Sequence, residues 1–261
     1  MIPTSSLVMI VINLILGFAI PIYLAWWIVK KHNARLSTVL IGAATFIVFA
    51  LVLEQIVHQI VLKGPHGAAI QNNTLYFAIY GGLMAGLFEE TGRFLSMKFL
   101  LKKEPTTVKP ALAYGIGHGG VEMIIVFGFT MISYLAMAFM MKAGQTDTLF
   151  GQAPAEAQEQ IQATVSQLTD ASVGDWLMGL WERFSALILH LSLSVLVWAA
   201  VRKGGKWLWL FPAAILLHAL VDGLAVILSK SATMLATEAI LFAMAIAIAG
   251  LAYMVARRIS S

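Results

Sequence analysis

The chain has 261 residues, of which 60% are hydrophobic and only 11% charged. A soluble domain of that size cannot hide so much apolar surface in one core, and the apolar residues also fall in long blocks. There is no cysteine, which excludes disulfides, thiolate catalysis and Cys-ligated metals, and the net charge of +4 is too small and too dispersed to indicate nucleic acid as a partner.

Crossing the hydrocarbon core takes ~20 mostly apolar residues. Seven stretches qualify in chain order: Leu7–Val29, Leu36–Leu62, Leu75–Leu101, Ala111–Met141, Trp176–Val201, Trp207–Leu228 and Leu235–Ala256. The expected fold is therefore an all-α polytopic transmembrane helix bundle of about seven spans, forming a single integral membrane domain over 1–261. The first block lacks an early basic residue and a small-residue cleavage site, so it reads as a retained helix. Basic residues alternate between the connections. Lys30, Lys31, Arg35, Lys102, Lys103, Lys109, Arg202, Lys203, Lys206, Arg257 and Arg258 lie on one side, and only Lys63, Lys142 and Lys230 on the other. By the positive-inside rule the N-terminus is expected outside and the C-terminus in the cytoplasm. The long connection at 142–175 is then extracytoplasmic, and Ala155–Leu168 within it has the composition of a short helix lying across the outer face.

Ionisable groups inside spans are costly, about 2.5–3.5 kcal/mol each on insertion scales, so each needs a partner or a purpose. The second span holds Glu54 and His58, and the third holds Glu89, Glu90 and Arg93. The fourth holds His118 and Glu122, the fifth Glu182, Arg183 and His190, and the sixth His218 and Asp222. Counting ~1.5 Å per residue from the cytoplasmic end places Glu89, Glu90, Glu122, His190 and His218 in one layer at about 16–18 Å depth. His118 and Arg93 fall slightly nearer the cytoplasm, which suggests that water approaches from that side. Glu54, Glu182 and Arg183 form a second, outer layer with a structural reading, in which Glu54 and Arg183 could neutralise each other.

Spacing sharpens the inner layer. His118 with Glu122 and His218 with Asp222 are both four residues apart, so each pair shares a helix face. Arg93 reaches either Glu89 or Glu90, and one carboxylate is left over. Three imidazoles and several carboxylates from four helices can build a zinc site with an open position. The bland readings are a buried ion pair for Glu89, Glu90 and Arg93, and interhelical hydrogen bonds for the histidines. Gly115, Gly117, Gly119 and Gly120 thin the fourth helix and could give a substrate backbone room.

The segments Phe88–Arg93 (FEETGR), Gly117–Glu122 (GHGGVE), Trp181–His190 (WERFSALILH) and His218–Gly223 (HALVDG) together resemble the YhfC family of intramembrane metalloproteases. That family is related to the PrsW and CAAX-processing membrane proteases. The resemblance implies a bacterial inner-membrane peptidase acting on a membrane-associated protein or peptide within the lipid bilayer. It implies Zn²⁺ held by His118, His190 and His218, with Glu122 as an alternative or fourth ligand. One of Glu89 and Glu90 would be the general base, Arg93 would hold the other, and Asp222 would orient His218. The last motif carries Asp222 where the prenyl-processing branch has asparagine, so prenyl-protein processing is not implied. Competing readings are an ion or proton transporter using the same buried groups, a haem-binding electron carrier and a non-catalytic membrane scaffold. Substrate, metal identity and oligomeric state are not legible.

Overall fold

The computed structural model describes residues 2–145 and 154–259, and among them all regular structure is helical. The long helices in chain order are α1 (Thr4–Lys30), α2 (Leu36–Leu62), α4 (Thr74–Leu95), α5 (Lys109–Lys142), α7 (Val173–Lys203), α8 (Gly205–Ser231) and α9 (Met234–Ile259). Two shorter ones, α3 (Gly67–Gln71) and α6 (Ala155–Asp170), sit in connections. The α6 helix overlaps the stretch at Ala155–Leu168, and residues 146–153 of the same connection lie outside the described residues.

Six of these helices are long and apolar enough to cross a membrane. The seventh long helix, α4, falls short on composition because Glu89, Glu90 and Arg93 lie within it. Its other face is apolar and exposed at the same level, through Ile79, Leu83 and Leu87. A helix that turns acids inward and leucines outward fits the same bundle as its neighbours.

Local sequence explains where the helices begin and end. Asn73 caps α4 by accepting the Tyr76 amide at 3.1 Å, and Ser172 with Asp175 forms a reciprocal capping box at the start of α7. Pro110 occupies the first turn of α5, and Gly204, at φ 62°, stops α7. Helices α1, α5, α7, α8 and α9 outrun their apolar blocks at both ends, whereas α2 coincides with its block and α4 stops at Leu95.

Helix α7 is the centre of the bundle. In its most apolar stretch 72% of residues are buried, against 17–33% for the other five apolar spans. Around it pack α9, α5, α8, α1 and α4. Two closely packed pairs, α4 with α8 and α2 with α5, meet at glycines. A Cβ at Gly82 would collide with the Ala219 carbonyl, and one at Gly42 with the Tyr114 carbonyl. Hydrogen bonds also join the helices: Asn13 Nδ2 donates to the Trp176 carbonyl at 2.9 Å, and the Thr45 and Ser96 hydroxyls meet at 2.7 Å.

Three stretches are wound as π-helix: Ile47–Glu54, Ser96–Leu100 and Met123–Gly128. Each adjoins a buried or half-buried ionisable group, ending at Glu54, following Arg93 or beginning just after Glu122. Such widened turns recur beside functional sites.

Candidate metal centre

The acids and imidazoles of the inner layer converge at the middle of the bundle. Glu90, Arg93 and His118 are completely buried, and Glu89, His190 and His218 nearly so. In a membrane helix such groups persist only if they satisfy one another, and here they form one continuous network.

Arg93 pairs with Glu90, one helical turn before it. The same oxygen of Glu90, Oε1, also receives His218, whose Nδ1 lies 2.9 Å away. His218 Nε2 is 3.4 Å from Asp222 Oδ2, one turn further along α8. Glu90 is thus clamped between a guanidinium and an imidazole, and Glu89 is the carboxylate left over. Glu89 Oε2 meets His118 Nε2 at 2.8 Å and lies 3.8 Å from His190 Nδ1.

His190 links the two halves of the network. Arg93 Nη2 is 3.1 Å from its Nδ1. A guanidinium can only donate, so Nδ1 accepts in this contact and Nε2 is the nitrogen left to carry a proton or a metal. That Nε2 faces Glu122 Oε2 at 2.5 Å. Glu122 in turn receives Arg183 on its other oxygen at 3.2 Å, and Arg183 also pairs with its neighbour Glu182. The three rings lie in a row, with centroids 5.0 Å apart for His118 and His190 and 5.3 Å for His190 and His218.

Glu89, His118 and His190 each offer a ligand atom, all within 4.8 Å of one another, and could hold a metal ion. The donor set fits one. It is a nitrogen and carboxylate set of the kind that binds zinc and related divalent ions, and it is buried and free of competing lysine. His118 Nδ1 is buried without a hydrogen-bond partner among the described residues. His218 lies outside that set, with Nδ1 against Glu90 and Nε2 against Asp222. The converging set therefore contains a glutamate in the place where the sequence suggests a third histidine.

Residues 16–244 match the YhfC intramembrane metalloprotease family. The chain belongs to that family. It is 35% identical over 231 residues to the uncharacterized membrane protein YhfC of Bacillus subtilis (strain 168), an alignment that covers 88% of each chain. No solved structure matches it. The YhfC match spans every residue of the network, from Glu89 to Asp222. It makes the protein a multi-pass membrane protein of a family named for metal-dependent proteolysis.

The structure corrects three sequence readings. Glu54 does not neutralise Arg183. It pairs with His58 Nε2 at 3.2 Å, and His58 Nδ1 reaches the Tyr80 hydroxyl at 2.8 Å, while Arg183 is engaged with Glu122 and Glu182. The α5 glycines leave no channel for a substrate, because helices fill the space above each. A Cβ would meet Ser194 Oγ at 2.9 Å from Gly115, His190 Cβ at 3.1 Å from Gly119 and Pro21 Cβ at 3.2 Å from Gly120, and it would strike the Val39 carbonyl from Gly117.

Third, the polar space beside the network runs towards the α6 end of the bundle, opposite to the cytoplasmic approach suggested by residue depth. A cavity of about 110 Å³ is lined by Glu89, Glu122, His190, His218 and Asp222. A second of about 310 Å³ lies beyond it, walled by Asn13, Tyr134, Gln167, Asp175 and Met234. Glu182, Arg183 and Glu238 line both. Glu238, buried near the start of α9, lines this space and is a residue that sequence reasoning passes over. A lone acid one turn into an otherwise apolar block was the available signal.

Proposed function

We propose that the protein is a zinc-dependent peptidase of a bacterial inner membrane, hydrolysing a peptide bond in a membrane-associated protein or peptide. His118 and His190 would hold the ion, with Glu122 beside them. Glu122 suits a ligand because Arg183 pairs with its other oxygen and holds it in place. Zinc in such a site supplies acidified water near neutral pH and polarises a carbonyl.

The single observation that carries this reading is the division of labour between the adjacent glutamates. Glu90 is fixed by Arg93 and His218, so it cannot readily gain and lose a proton. Glu89 touches only imidazoles, lies at the edge of the ligand set and lines the cavity. Glu89 is therefore the general base, taking a proton from water and passing it to the leaving amine. His218, held between Glu90 and Asp222, faces the same cavity and donates to the carbonyl oxygen as it gains charge. A transporter would use similar buried groups, but the donor set and the family both favour hydrolysis.

The test uses purified protein in lipid nanodiscs with single-span peptides as substrates. Glu89→Gln is expected to abolish cleavage while keeping the metal, and His118→Ala to lose both, with inserted and folded protein in each case. Cleavage that survives Glu89→Gln would overturn the assignment.

A further inference from the structure

The neck between the two cavities holds more negative charge than the mechanism needs. Glu238 is 8% exposed, and its Oε2 has no hydrogen-bond partner among the described residues. The cation nearest in the walls, Arg183, already serves Glu122 and Glu182. Asp175, in the outer cavity, is tied to the Ser172 amide at 2.7 Å and the Ser172 hydroxyl at 2.9 Å. Glu238 is left as a buried carboxylate that lines the space leading to the catalytic network and has no counterion of its own.

We infer that Glu238, with Glu182 beside it, forms a subsite for a cationic side chain, lysine or arginine, of the peptide segment that the site takes. The inference rests on the peptidase reading and names its specificity. A carboxylate in low dielectric gains most from a full opposite charge. A neutral side chain in the neck leaves that carboxylate unpaired, at a cost in binding. Because Glu238 lines the same inner cavity as Glu89 and His190, the side chain it takes lies close along the chain to the scissile bond. The polar outer cavity at the α6 end would admit the long basic side chain with its head solvated until it reaches the neck.

The test separates recognition from turnover. Fluorescent single-span peptides carrying lysine or the neutral isostere norleucine, moved through successive positions, are bound to the Glu89→Gln protein in nanodiscs. At one position the lysine peptide is expected to bind about tenfold more tightly, which corresponds to about 1.4 kcal/mol. That preference should vanish in Glu89→Gln/Glu238→Gln and return in part with Glu238→Asp. A second readout guards against a folding defect. The lysine peptide should raise the melting temperature of the protein that keeps Glu238 and leave that of the Glu238→Gln variant unmoved. A preference unchanged by Glu238→Gln, or no position at which lysine is preferred, overturns the subsite. Turnover is scored with Glu89 intact. Peptide bound with charge preference but left uncut overturns the peptidase and not the subsite. Peptide cut without charge preference overturns the subsite alone.

Discussion

Arg93 does two jobs that a single substitution cannot separate but a pair can. It is fully buried, pairs with Glu90 and donates to His190 Nδ1, so it holds both the Glu90 carboxylate and the His190 ring. Replacing it by methionine leaves Glu90 buried against His218 alone. Breaking a buried pair from one side typically costs about 3–5 kcal/mol, much of it the stranded charge. Arg93→Met should therefore lower the melting temperature of the detergent-purified protein sharply, and adding Glu90→Gln should recover part of the loss. Equal stability of the wild type and the single variant would show that Arg93 has no structural share. This network was legible in the sequence as a set of residues, because each charge in a span carries an insertion cost that demands a partner. The pairings were not legible. Spacing puts Arg93 within reach of either glutamate, and only the packing of α8 against α4, which brings His218 to Glu90, decides between them. Glu238 escaped notice because an acid near a span end reads as interfacial until α7 is seen packed over it.

The helices were legible because lipid leaves few alternatives: a backbone in hydrocarbon must satisfy itself, and about twenty apolar residues in a row can only be a span. What hydropathy does not carry is how closely two helices approach. Glycine marks that a neighbour comes near without saying which, and the α5 glycines looked like space for a substrate when they are seats for α2, α7 and α1. The π-helical turns had no sequence signal either, since they depend on an extra residue accommodated by packing. The contrast between Gly81 and Gly82 on α4 tests the account of close approach. Nothing lies within 4 Å of a Cβ at Gly81, whereas one at Gly82 would strike the Ala219 carbonyl of α8. Gly82→Ala should cost about 1–3 kcal/mol as overpacking, read as a lowered melting temperature. Gly81→Ala should be neutral or slightly stabilising, because alanine is the better helix former by about 1 kcal/mol. Since α8 carries His218 and Asp222 against α4, the Gly82 variant should also lose activity. Equal effects from the two substitutions would mean that the helices do not meet as described.

At the scale of the whole molecule, the direction of the cavities gives the orientation of the bundle a functional consequence. The polar space from the candidate metal centre leads to the end that carries α6 and the starts of α7 and α9. By the positive-inside expectation that end would face the outside. Water and a basic substrate side chain would then arrive from the extracytoplasmic face, not from the cytoplasm. The absence of cysteine makes this directly testable, because every introduced thiol is the only one in the chain. Lys63→Cys and Ala232→Cys lie in connections at the α6 end, and Lys103→Cys, in a connection, and Lys206→Cys, in the first turn of α8, lie at the other. In intact cells a membrane-impermeant maleimide should label the first two and spare the second two, and permeabilisation should make all four reactive. The reverse pattern would turn the bundle over. The cavities would then open to the cytoplasm, and the acidic neck would select basic side chains on that side, where the positive-inside rule makes them abundant in membrane proteins. The labelling result thus decides which flank of a membrane substrate the neck can meet.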